Sequence, residues 1–189
     1  MTPEQIAARP RVEGEREAEI LDATIDVLVE VGYDRLTMDA VAQAARASKA
    51  TLYRRWESKP ALVFDAVCSR KAGSVEPDTG SLREDLIEAY CGMGAFGDVQ
   101  APAILAAVVT AMSRDEEFAE TYRRDFIQPK IDVARRIFRR AIERGEIPAD
   151  VDIDLLGPAL SGIFPDRIFL LGEQSSPDLI ARIIDLVIL

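Results

Sequence analysis

The side chains with the clearest chemistry in this chain lie between Thr37 and Lys59, in TMDAVAQAARASKATLYRRWESK, and they suit phosphate neutralisation combined with recognition of base edges. From Arg46 to Lys59 five basic residues (Arg46, Lys49, Arg54, Arg55 and Lys59) meet one acid, Glu57, for a local charge of +4. The whole chain of 189 residues holds 23 Lys and Arg against 33 Asp and Glu, a net charge of −10. A basic island in an acidic chain suits a polyanion, because Lys and Arg release the condensed counterions of DNA whatever the base sequence. A solvated helical hairpin is the alternative origin of the same charges, since paired short helices also serve as plain packing units.

Other chemistries have little to work with. The chain contains no histidine, which removes His-based acid-base catalysis, Ser-His and Cys-His nucleophiles and the zinc sets that need imidazole. Cys68 and Cys91 are too few for a disulfide framework and lack metal spacing, so each reads as a buried thiol. Asp150, Asp152 and Asp154 cluster where a helix begins and read as capping groups. No glycine loop of the Walker or dinucleotide type occurs. No catalytic residue, metal or cofactor is expected.

Presenting the island requires two short helices joined by a tight turn. Met38, Val41, Ala42 and Ala45 recur at i, i+3, i+4 and i+7 and form one apolar face, on a helix that Thr37 can cap and Asp39 favours in its first turn. Ser48 caps a second helix. On it Leu52 and Trp56 stand one turn apart and point inward, which turns Ala50 and Arg54 outward with Thr51 and Tyr53 at the flanks. Upstream, Ile20, Leu21, Val27, Leu28 and Val31, with the Thr24 methyl, make an amphipathic first helix that stops at Gly32. The pattern is that of a helix-turn-helix.

The order Thr37, Val41-Ala42, Ala45, Ser48, Thr51-Leu52-Tyr53, Trp56, Ser58-Lys59 and Leu62 resembles the signature of the TetR family of transcriptional regulators. The stretches DTGSLREDL from Asp78 and RGEIPADVD from Arg144 resemble one subgroup of that family's C-terminal domains. One position departs: the family commonly has Gly then Val in the turn, and this chain has Arg46 and Ala47. Arg46 must either carry a left-handed conformation at a cost of about 1 kcal/mol or sit in a turn of different geometry.

The resemblance implies an all-α protein, with residues 1–58 forming the helix-turn-helix domain and its N-terminal arm, and residues 59–189 forming a regulatory and dimerisation domain. By position in the motif, Thr37, Tyr53 and Lys59 hold phosphates, Lys49, Ala50 and Arg54 face base edges, and Ser48 and Thr51 line the backbone or groove wall. The Arg54 guanidinium can bond guanine O6 and N7 together, and the Ala50 methyl can touch a thymine methyl. Arg9 and Arg11 either reach a minor groove as a flexible arm or stay solvated. The implied function is a homodimeric repressor that binds a pseudo-palindromic double-stranded operator and releases it when a small apolar effector binds. A helical enzyme and a protein-binding adaptor are the rival classes.

The rest of the chain divides at its breakers. A linking helix is expected from Lys59 through Phe64 to about Ser74, with Val75 to Gly80 as the joint, then helices from Ser81 and from Pro102. A single long helix is expected from Asp115 to Arg144, kinked by Pro129 and stopped by Gly145. In the family a cavity lies among these helices, and Phe64, Tyr90, Met93, Met112, Tyr122, Phe126 and Phe164 are the candidate lining residues, although aromatic and Met residues at helical spacing fill plain core whether or not a cavity exists. Two apolar helices close the chain, one carrying Ile163 and Leu170, the other carrying Ile180, Ile183, Ile184 and Val187 after a Ser176 cap. The resemblance makes these the dimer interface; intramolecular burial is the alternative. No run of about 18 apolar residues occurs and the N-terminal stretch is polar, so neither a membrane span nor a secretory signal is expected, and the cytosol is the expected location.

Overall fold

In the computed structural model, where residues 13–70, 76–92, 100–174 and 176–188 are described, the end of the first helix is set by one glycine. Helix α1 (Glu13–Arg35) buries Ile20, Leu21, Ile25, Val27 and Leu28, and Gly32 breaks it with φ +77° and ψ 167°. Only glycine adopts such angles without a Cβ clash, so the break falls where the sequence places it. Leu36 N–H then donates to the Gly32 carbonyl at 3.1 Å, closing a turn that leads into α2 (Met38–Ala44). Thr37 Oγ1 accepts the Ala40 N–H at 3.1 Å, and Met38, Val41, Ala42 and Ala45 are buried. Ser48 Oγ accepts the Thr51 N–H at 3.1 Å and opens α3 (Lys49–Arg55), whose Leu52, followed by Trp56, points into the core. Ser58 caps α4 (Lys59–Ser69), which buries Leu62, Val63, Ala66 and Val67. The helix ends at Ser69 with Arg70 as its C-cap; positions 71–74 of the expected linking helix lie outside the described residues.

The C-terminal part contains α5 (Leu82–Gly92), α6 (Ala101–Arg114), α7 (Glu116–Tyr122), α8 (Gln128–Glu143), α9 (Ile153–Pro165) and α10 (Pro177–Ile188). No strand occurs among the described residues. The expected single helix from Asp115 to Arg144 is α7 and α8 joined by a π-helical turn, Arg123–Ile127, so the disturbance lies before Pro129 rather than at it. Proline has no N–H for the Asp125 carbonyl four residues back, and the turn widens until Gln128 N–H reaches the Arg123 carbonyl. Pro165 is followed by a second such turn, Asp166–Leu170.

Two hydrophobic cores form. The first joins α1, α2, α3 and α4 to α6 and α7, through Ile25, Val41, Leu52, Leu62, Val108 and Phe118 among others. The second joins α5, α8, α9 and α10 around Leu86, Phe138, Leu160 and Ile184. The head therefore shares its core with helices beyond position 59, because α1 packs on α4 and α6.

The second core reassigns part of the expected dimer stripe. Ile180, Ile183 and Ile184 are buried within the chain itself, against α5 and α9. Ile163 and Val187 are half-buried on that core, and Leu170 is 77% exposed. A terminal helix with apolar residues on most of its circumference has two faces to cover, and hydrophobicity alone does not say which one the chain itself covers. Among the described residues, exposed apolar side chains include Val109 on α6 and a group formed by Leu155, Phe169, Leu170, Leu171 and Leu186, on α9, the turn after it and α10.

Candidate nucleic-acid interface

The reading helix is set by its two ends. Leu52 and Trp56 anchor α3, and the Trp56 indole N–H donates to Asp65 Oδ2 of α4 at 2.8 Å, which fixes the helix against its successor. Lys49, Ala50, Tyr53 and Arg54 are left exposed, Tyr53 at 53% although it is a large aromatic. Thr51 is half-buried, and its hydroxyl pairs with Ser48 Oγ at 2.9 Å beside the capping bond, so both hydroxyls are already oriented at the helix start. Thr37 is exposed, with its hydroxyl capping α2.

The turn answers the question posed by Arg46. Its φ is +50°, the left-handed conformation. Arg46 N–H donates to the Gln43 carbonyl at 3.1 Å and Ala47 N–H to the Ala42 carbonyl at 2.8 Å, the paired bonds that close a helix on a left-handed residue. Arg16 of α1 donates to the Arg46 carbonyl at 2.8 Å, so the first helix grips the turn. Arg46 thus takes the left-handed conformation, and its Cβ bears the conformational cost.

The five cations of the island differ once folded. Lys49 is ion-paired with Asp39 at 2.6 Å, which holds its ammonium above the usual lysine range. Arg55 pairs with Glu17 at 3.1 Å and lies 5.6 Å from the Trp56 ring centre. Lys59 donates to the Tyr33 carbonyl at 2.8 Å. Arg46 and Arg54 have no ion pair among the described residues, which leaves Arg54 as the unpaired guanidinium on the reading helix. Glu17, Arg16 and Tyr33 could not be singled out from the sequence, because their partners stand 38, 30 and 82 residues away. Asp39 had a local signal in its place in the first turn of α2, yet that signal pointed to the helix dipole and not to Lys49. Arg9 and Arg11 lie outside the described residues.

The seven candidate lining residues fall into two groups. Phe64, Met112, Tyr122 and Phe126 belong to the first core, where Tyr122 stacks on Phe126 at 4.7 Å and meets the edge of Phe64 at 6.3 Å. Burial pushes the Tyr122 phenol well above its ordinary pKa. Tyr90 and Phe164 belong to the second core and border a space of about 10 Å³ with Leu160, Ile180, Ile183 and Ile184, large enough for about one water. Met93 lies outside the described residues.

A helix-turn-helix that presents exposed cations from its second helix, on an all-helical body, defines a DNA-binding protein. Residues 20–66 match the family model described as "Bacterial regulatory proteins, tetR family", and residues 76–187 match the "Tetracyclin repressor-like, C-terminal domain". The chain belongs to the TetR family of transcriptional regulators, which are DNA-binding transcription factors and not enzymes. It is 36% identical to an HTH-type transcriptional regulator of Mycobacterium bovis, over 98% of this chain and 93% of that one. It is 34% identical to the DNA-binding transcriptional repressor TetR of Mycobacteroides abscessus, over 92% of each. The crystal structure of the TetR family transcription regulator SCO0332 aligns over 92% of this chain and 97% of that chain, with a TM-score of 0.62 and 30% identity. No helix among the described residues is long and apolar enough to cross a membrane.

Proposed function

We propose that the protein is a homodimeric repressor that binds a pseudo-palindromic operator and is released by a small, largely apolar effector. The observation that carries the reading is the exposed, unpaired Arg54 on a helix whose Leu52 and Trp56 are locked inward. In this reading Lys49, Ala50 and Arg54 meet base edges, Thr37, Tyr53 and Lys59 hold phosphates, and Ser48 and Thr51 lie along the groove wall. Lys49 must exchange Asp39 for DNA. The dimer is supported by the uncovered apolar side chains Leu155, Leu170, Leu171 and Leu186, which a second copy can cover about a two-fold axis. Repression is the stated activity of the Mycobacteroides abscessus relative. Ligand sites of ordinary size need about 300 Å³ or more, so an effector among Phe64, Met112, Tyr122 and Phe126 must part rings that touch in the free form. That requirement couples binding to a change of helix position.

Selection from a random duplex pool by gel shift tests the reading. The expected product is a pseudo-palindrome with half-sites about 34 Å apart, or a multiple of that. Enrichment of single, unrepeated sites would refute the dimeric reader, and no enrichment would favour a protein-binding adaptor.

A further inference from the structure

We propose that Tyr33 is a positioning residue for DNA binding: its hydroxyl is held by Asp115 at the α6–α7 joint, while its ring and carbonyl seat the Lys59 ammonium for a phosphate. The inference rests on the reading of Lys59 as a phosphate contact. Tyr33 follows the glycine that breaks α1, and the left-handed Gly32 sends its ring into the body, where it is 3% exposed. Tyr33 Oη donates to Asp115 Oδ2 at 2.6 Å. Asp115 is itself fixed, since its Oδ1 accepts the Phe118 N–H at 3.1 Å and its own N–H donates to the Ala111 carbonyl at 2.9 Å. Both helices of the joint therefore locate the acceptor. Burial, then the bond to Asp115, raise the phenol's pKa, so the hydroxyl stays protonated and remains the donor.

At its other end Tyr33 meets the first residue of α4. Lys59 Nζ donates to the Tyr33 carbonyl at 2.8 Å and lies 4.2 Å from the ring centre, a cation held by a dipole and a π face together. An ammonium has three N–H groups, and one bond to a carbonyl leaves two for phosphate oxygens. The side chain of Lys59 is long and flexible, so a fixed seat lowers the entropy it loses on meeting DNA. The same ring packs on Phe118 at 5.7 Å, Phe118 stacks on Tyr122 at 5.7 Å, and Tyr122 stacks on Phe126. A displacement along this row of rings moves the surface beneath Lys59. Tyr33 thus links a residue at the DNA end to the rings that the effector is proposed to part.

The test is a double-mutant cycle read on DNA binding, with a labelled 30-base-pair duplex of arbitrary sequence titrated at several salt concentrations. Tyr33→Phe keeps the ring and removes the tie. It should weaken binding to every duplex alike by roughly 3- to 10-fold, the worth of about one hydrogen bond, and lower the salt slope towards that of Lys59→Ala. In the Lys59→Ala background it should cost nothing further. Asp115→Ser cuts the bond from the other side while keeping an α7 cap, and should reproduce Tyr33→Phe; Asp115→Asn, which can cap and still pair with the hydroxyl, should bind nearly as the parent does. Far-UV circular dichroism of each variant establishes that it is folded. Wild-type affinity in Tyr33→Phe or in Asp115→Ser, or a loss that adds in full to that of Lys59→Ala, would overturn the proposal. Absence of DNA binding by the parent chain would instead overturn the DNA-binding reading on which it rests.

Discussion

Arg46→Gly should stabilise the protein while removing a cation from the turn of the reading head. The φ of +50° places an L-residue in a conformation that costs roughly 1–2 kcal/mol, because Cβ crowds the following carbonyl. Glycine has no Cβ, but it gains freedom in the unfolded chain worth roughly 0.5–1 kcal/mol. The net gain is about 0.5–1 kcal/mol. The bonds that define the turn survive, because Arg46 N–H to Gln43, Ala47 N–H to Ala42 and Arg16 to the Arg46 carbonyl all use backbone atoms at position 46 and beside it. For a chain of this length the melting temperature should rise by roughly 1–4 °C in thermal unfolding at fixed protein concentration. Arg46→Ala is the control: it removes the charge and keeps the Cβ, so it should show no gain. Both variants should lower the salt slope of DNA binding by about one per head if the guanidinium sits on a phosphate. A glycine variant that melts at or below the wild-type temperature, with an alanine variant like wild type, would refute the view that Arg46 bears backbone strain.

Arg54→Ala should cost about 1–3 kcal/mol at the selected operator and relax one base pair per half-site; equal losses on cognate and random duplexes would remove Arg54 as a base reader. Leu186, 72% exposed, and Ile184, 1% exposed, separate the proposed interface from the core. Leu186→Glu should sediment as a weakened dimer with native circular dichroism, whereas Ile184→Glu should unfold, since it places a charge in the second core; a Leu186→Glu variant that dimerises as before would move the interface elsewhere. Glu146 accepts the Leu82 N–H at 2.7 Å and pairs with Arg144, and the Leu82 bond leads the causes that hold its carboxyl below the ordinary 4.5. Its contribution to stability is present above that ordinary value and is lost as pH falls through the lower folded value. Glu146→Gln should therefore flatten the acid limb of a stability-versus-pH curve in that window; an unchanged limb would show that the pair is inert there.

The helix-turn-helix was legible because each of its determinants is local. Thr37, Ser48 and Ser58 cap helices within three residues of themselves, Gly32 breaks α1 by its own φ, and the spacing of Met38, Val41 and Leu52 sets the inward faces at the helical period. The class of protein followed from the family resemblance that those residues carry, together with the charge of the island. Tertiary structure decided the rest. Which cations stay unpaired depends on Glu17 and Asp39 arriving from other helices, and the seat of Lys59 depends on Asp115, which no local pattern connects to Tyr33. The same holds for the last helix. Its hydrophobicity was plain, but whether Ile184 or Leu186 faces a partner depends on how α5 and α9 pack against it. Periodicity fixes which residues share a face; only packing between distant segments fixes what that face meets.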